Sequence, residues 1–298
     1  VLSEALRLLD YANLALAFSM EALEGIIDAF DEKVHQVRGH FGQIKVAKQV
    51  QNYLKGSEYV SSSNPKRVQD AYSLRCAPQV HGASYGALLH VRDIVNQEMN
   101  AVTDNPLLFV EDGVALSAGN FHGEPLALAF DYMGMAIAEL ASISERRLER
   151  MVNPQLSNGL PPFLAVSSGV NSGMMIVQYT AASLVSENKV LAHPASVDSI
   201  PSSANQEDHV SMGTISARKA RTILNNTRRV IALEMLVAFQ AIQFRTKKQM
   251  GNQTKKLFDL LSKNIPFFKE DTILYPYMHF VEELLKKEDT SQILKEGD

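Results

Sequence analysis

Apolar residues recur at steps of three and four from Leu6 through Leu9, Leu16, Leu23, Ile27 and Phe30. Glu21, Glu24, Asp28 and Asp31 fall off that stripe, and the spacing predicts an amphipathic helix from the first residues of the chain. A second helical pattern, Gly42 to Leu54, ends at Lys55-Gly56, a plausible cap. Ser57 to Asp70, with Ser61-Ser62-Ser63-Asn64-Pro65, is too polar and too broken to continue a helix and reads as a long loop of the kind that carries function or disorder. Helix resumes after Pro78 to about Asn100 and stops at Thr103-Asp104-Asn105-Pro106. Leu107 to Val110 and Val114 to Leu116 flank Glu111-Asp112-Gly113, and Asp-Gly between β-prone runs predicts a hairpin.

A long helix follows from Glu124 to Arg150, apolar first and charged at its end, until the Pro- and Gly-rich stretch Asn153 to Gly173 breaks it. Met174 to Leu191 and Ser211 to about Phe244 read as further helices, separated by the irregular loop His193 to Val210. Two shorter ones are expected near Thr254 to Ser262 and Tyr277 to Lys287, before a solvated tail, Lys286 to Asp298. No solenoid repeat is visible. The expected fold is mainly α, a long-helix bundle with one small β-hairpin. Met174 to Leu191 is apolar nearly all round, which predicts a helix at the centre of the bundle or in a subunit interface. Because the sequence begins at Val1 inside a helical pattern, we expect residues 1–298 to be one helical part of a longer chain.

Composition narrows the classes. The chain has 298 residues, 46% of them hydrophobic, and can bury a large core in one or two domains. Its net charge of -4 gives no electrostatic footprint for nucleic acid or an anionic membrane surface. Cys76 is the only cysteine, so no intrachain disulfide can form. With no signal peptide and no uninterrupted apolar run of about 18 residues, no membrane is expected and a cytoplasmic location is the default. The eight histidines show neither HExxH nor Cys/His spacing, so no metal is expected.

Three inter-helical stretches carry the chemistry: Gln69 to Arg75, Gly119 to Pro125 and Ala204 to His209. The Arg75 guanidinium offers a planar fork suited to a substrate carboxylate, against the plainer reading of a structural salt bridge. Tyr72 lies three residues away, where cationic charge would favour its ionised form and a role in proton transfer; the plain reading is a half-buried phenol bonded to backbone. Gln69 would orient the substrate. Phe121 would wall the site, although an isolated phenylalanine is usually core. Glu207 could bind or deprotonate a basic ring, or simply favour the N-terminus of the helix starting near Ser211. His122 is the histidine best placed to touch the site, and His81, His122 and His209 each read first as structural.

Gln69-x-x-Tyr72-x-x-Arg75, the run Ser117 to His122, Ser196 to Ser203 and Asn205-Gln206-Glu207-Asp208-His209 together resemble the aromatic amino acid lyase family, over nearly the whole chain up to about Phe244. The resemblance implies an all-α, fumarase/aspartase-like architecture, a homotetramer, and elimination of ammonia from an aromatic amino acid. Glutamate at position 207, where phenylalanine- and tyrosine-specific members typically carry glutamine, implies L-histidine as substrate and urocanate as product. It also implies an electrophilic group, 4-methylideneimidazole-5-one (MIO), made from an internal Ala-Ser-Gly. That tripeptide does not occur here; Ser117-Ala118-Gly119 has the same residues in another order. The chain therefore resembles the C-terminal portion of such a lyase, with Tyr72, Glu207 and Phe121 expected in catalytic roles and Arg75, Gln69 and Asn120 in substrate binding. Three alternatives stay open: a phenylalanine or tyrosine lyase or aminomutase, a fumarase/aspartase relative, and a non-catalytic helical assembly module.

Overall fold

The computed structural model describes residues 1–62 and 67–287. The elements run α1 Leu2–Ala22, α2 Glu32–Gln36, α3 Phe41–Tyr53, α4 Tyr72–Arg75, α5 Ala77–Glu98, β1 Leu107–Phe109, β2 Val114–Leu116, α6 Glu124–Val152, α7 Met175–Leu191, α8 Gly213–Ile242, α9 Asn252–Ser262 and α10 Tyr275–Lys286. The apolar stripe that reaches Phe30 is not one helix. α1 ends at Ala22, Glu24 takes a left-handed φ of 50°, and Ile27–Phe30 forms a separate 3-10 turn. Part of the long loop expected at Ser57 to Asp70, namely Ser63 to Lys66, lies outside the described residues, as does the tail from Glu288 onward.

α8 sits at the centre and packs on α6, α1, α7 and α10. Val230 to Ile242 is buried on every side, and Leu8 to Ala22 of α1 is nearly as enclosed. Of the two places expected for the Met174 to Leu191 helix, the centre of the bundle is not the one it takes. α7 buries only Val177, Ala181 and Asn188, while Ile176, Tyr179 and Val190 are 57%, 61% and 73% exposed. A helix apolar all round has two possible fates, core or interface, and in the single chain the core position belongs to α8. By length and composition alone α6 could cross a membrane, although Asp131 and Glu139 interrupt its apolar run. Half of that stretch is buried within the chain, and α6 also encloses Asp131, Glu145 and Arg147, so core packing accounts for its apolarity.

The core contains a fully buried ion pair between α6 and α8, Arg147 with Glu234, neither side chain exposed at all. Both Glu234 oxygens are doubly bonded: Oε1 accepts from Ser19 Oγ (2.7 Å) and Arg147 Nε (2.5 Å), and Oε2 accepts from Ser144 Oγ (2.6 Å) and Arg147 Nη2 (2.9 Å). Burying two charges is tolerable only with this degree of satisfaction. α3 and α5 cross backbone to backbone at Gly42 and Gly82, where a Cβ on either residue would collide with the other helix's main chain. That close crossing seats α5, whose N-terminal end carries the Gln69 to Arg75 segment.

The hairpin pairs Leu107 with Leu116, Leu108 with Ala115 and Phe109 with Val114, antiparallel, and Gly113 supplies the positive φ (63°) of the reversal. Almost all of it is exposed, so the hairpin stands off the bundle.

Candidate functional site

The Gln69 to Arg75 segment begins with an anchor. Asp70 is buried, and its carboxylate accepts from the Ile26 N–H (2.6 Å) and Arg67 Nε (2.7 Å), tying the segment to the end of α1. Tyr72 to Arg75 then form one helical turn rather than open loop, with Leu74 plugged into the core at 2% exposure. Arg75 Nε donates to the Asp70 carbonyl (2.9 Å), and its guanidinium carbon lies 4.5 Å from the centre of the Tyr72 ring. The two terminal guanidinium nitrogens make no hydrogen bond among the described residues. The fork that would take a carboxylate is therefore positioned by its stem, stacked on an aromatic face and open. Tyr72 is 70% exposed and Gln69 is exposed beside it.

The second segment hangs from the base of the hairpin. Asn105 Oδ1 accepts from the Ala118 N–H (2.8 Å) and Ser117 Oγ (3.1 Å), and Asn120 Nδ2 reaches the Val102 carbonyl at 3.4 Å. Phe121 follows with its ring 56% exposed, so the core reading of this phenylalanine does not hold.

The third segment is strained. Ser203, Ala204 and Asn205 take φ of 50°, 54° and 69°, left-handed values that cost Ser203 and Ala204 roughly 1–2 kcal/mol each and Asn205 less. The turn is closed by a bridge between Ser202 and Glu207, whose carboxylate accepts from Ser202 Oγ at 2.6 Å. Hydrogen bonds from the Ser202 and Ser203 side chains hold the exposed Glu207 carboxyl below its usual range, so it is a carboxylate at neutral pH. The helix-dipole alternative for Glu207 is not supported. α8 starts at Gly213, six positions further on, outside the range over which a helix terminus acts, and its N-cap is Met212 in a left-handed conformation.

His122 and His209 join the second and third segments. Their rings stack with centroids 5.5 Å apart, His122 Nδ1 accepts from the Glu124 N–H (3.3 Å), and Nε2 therefore carries the proton it donates to the His209 carbonyl (3.2 Å). Phe121 and Glu207 are thus carried by two segments that meet on one surface. No hydrogen bond, ion pair or ring contact links that surface to Tyr72 or Arg75 among the described residues, so the six expected site residues fall into two groups.

Two residues that sequence reasoning passed over hold the start of the His193 to Val210 loop, which leads into the third segment. Asp131 Oδ2 accepts from the Ala195 and Ser196 N–H groups, both at 2.7 Å, and Lys219 Nζ contacts both Asp131 (3.3 Å) and the His193 carbonyl. Burial raises the Asp131 pKa, but the Ser196 bonds and the Lys219 charge outweigh it and leave the group lowered and ionised. The available signal was a lone Asp among the apolar residues of the first half of α6. No group of three His, Cys, Asp or Glu side chains fit to hold a metal is present among the described residues.

Comparison with known proteins adds to this geometry. The family model described as aromatic amino acid lyase matches residues 1–263. The histidine ammonia-lyase of Natranaerobius thermophilus is 55% identical over 278 residues, covering 93% of this chain and 55% of that protein. Among solved structures, histidine ammonia-lyase from Trypanosoma cruzi superimposes with a TM-score of 0.90 at 43% identity, covering 98% of this chain and 55% of that one. Tyrosine aminomutase from Streptomyces globisporus gives 0.92 at 33% identity, covering 100% and 60%. This chain spans little more than half the length of the relatives it matches.

Proposed function

The chain belongs to the aromatic amino acid lyase family, and on that footing we propose that it works as the substrate-binding, acid-base part of a histidine ammonia-lyase, eliminating ammonia from L-histidine to give urocanate. The observation that supports it most strongly is the open Arg75 fork stacked on Tyr72, in a chain 55% identical to a protein named for that activity. Arg75 binds the substrate carboxylate through its two free nitrogens, while its Nε stays on the Asp70 carbonyl. Tyr72, with its phenol exposed and a guanidinium on its ring, carries a proton to or from the substrate. Glu207, ionised and held by Ser202, accepts the imidazole N–H. Phe121 and Asn120 wall the site from water, and Gln69 orients the bound substrate.

In this reading MIO supplies the electrophile that activates the substrate for loss of ammonia. Ala-Ser-Gly is not in the sequence, so the group comes from chain outside these 298 residues. The donor set here, a guanidinium, a phenol and a carboxylate, fits a zwitterionic substrate presented to such a group. The two separated clusters and the exposed apolar face of α7 both support a homotetramer in which other chain completes the site. A cytoplasmic location belongs to the same proposal, resting on the single cysteine.

Glu207→Gln in the full-length enzyme tests the substrate assignment. The side chain is fully exposed, so melting should be unaffected while histidine turnover falls by much more than threefold. A loss within about threefold, or about 0.65 kcal/mol of barrier, would remove Glu207 from the mechanism.

A further inference from the structure

Arg147 has a second partner. Nε and Nη2 go to Glu234, and Nη1 donates to the Ser73 carbonyl at 3.3 Å. Ser73 lies inside the turn that displays Tyr72 and Arg75, so a side chain with no exposure at all bonds the backbone between them. The turn is also held from within by Leu74 in the core and at its entrance by Asp70. On the neighbouring helix α5, His81 is completely buried, with its Nδ1 donating to Asn13 Oδ1 (2.6 Å) and its Nε2 without a partner. Burial, and then the charge of Arg147, push the His81 pKa well down, so it faces Arg147 neutral and adds no repulsion. A buried ion pair is a poor way to stabilise a core, since apolar residues of similar volume are often as good or better. Contact with the reactive turn gives the pair a different purpose.

We propose that Arg147, backed by Glu234, is a positioning residue: it fixes the turn Tyr72–Arg75 from beneath, so that the phenol and the guanidinium fork meet the substrate together. The inference rests on the reading above that these two side chains bind substrate.

The test uses the full-length enzyme. Arg147→Lys keeps the charge against Glu234 but cannot span both Glu234 and Ser73. The double variant Arg147→Met with Glu234→Met removes the pair without leaving a buried charge. Ser19→Ala and Ser144→Ala delete bonds at the Glu234 end alone and serve as controls. Two quantities are measured beside melting temperature: KM and kcat for L-histidine, and hydrogen exchange of the Leu74, Arg75 and Cys76 amides, which bond to the Ala71 and Tyr72 carbonyls. Both Arg147 variants should raise KM about tenfold or more, since small misplacements are amplified in rate and binding, and should speed exchange at those amides by about tenfold. The serine controls should lower melting temperature and leave both quantities unchanged. A folded double variant with parental KM and parental exchange would overturn the proposal, and so would failure of both Arg147 variants to fold, because the pair would then be purely structural. Arg75→Lys is assayed alongside. If it leaves KM unaltered, the reading of Arg75 fails, while the exchange data still decide the positioning claim.

Discussion

Replacing Glu234 with glutamine should be among the most damaging single-atom changes in this chain. The side chain has no exposure and takes four hydrogen bonds, two on each oxygen. In glutamine one oxygen becomes an NH2 group, which cannot accept from either of its two donors, and the Arg147 charge is left buried without a counter-ion. Breaking a buried pair on one side costs about 3–5 kcal/mol. A chain of 298 residues unfolds with an entropy of about 0.6 kcal/mol per degree, so the melting temperature should fall by about 5–8 °C. Arg147→Met with Glu234→Met, which removes both charges, should recover most of that loss. The assay is thermal unfolding followed by circular dichroism, with urea titration to check that the slope is unchanged. If Glu234→Gln melts within about 2 °C of the parent, which is roughly 1 kcal/mol, the carboxylate is not the sole counter-charge of Arg147 and the account of the core is wrong.

The buried His81 gives a pH dependence with a definite sign. Its folded pKa lies well below 6.5, so below that pH the unfolded chain binds a proton that the folded chain does not, and stability falls as pH drops through 6.5. His81→Gln should flatten the fall in stability below pH 6.5, by at most about 1.4 kcal/mol per pH unit; urea titrations showing the same pH dependence for both proteins would refute this. Arg75→Lys in the full-length enzyme keeps the charge but loses the bidentate fork, so KM for histidine should rise with little change in melting temperature, and an unchanged KM would exclude carboxylate binding. The apolar face of α7, with Ile176, Tyr179 and Val190 exposed, should be covered by another copy of the chain, and obligate interfaces of that kind bury about 2,000 Å² or more. A monodisperse monomer in sedimentation at micromolar concentration would contradict it.

The helices were legible because their apolar spacing is long and regular; the boundaries of α3, α6 and α8 fall within about two residues of those expected from the pattern. Gly113 likewise marks the hairpin reversal. Periodicity could not rank burial. α7 and α8 are both strongly apolar, and only tertiary packing decides that α8 is enclosed while α7 keeps an open face. The candidate site residues were named through motifs, whose side chains stand out in polar segments. Their supports were missed for the opposite reason. Asp131, Arg147 and Glu234 lie in helices, where a charge reads as solvated unless it is noticed alone in an apolar run, as Glu234 is between Leu233 and Met235. The stacked His122 and His209 are 87 positions apart, and no local pattern could pair them.

The most direct measurement is a product assay of the full-length enzyme with L-histidine, L-phenylalanine and L-tyrosine at equal concentrations, with the β-amino acid isomers followed alongside the unsaturated acids. The account predicts urocanate from histidine at a rate far above any product of the other two, and no β-histidine. Equal or faster turnover of phenylalanine or tyrosine, or an isomerised amino acid as the main product, would contradict it.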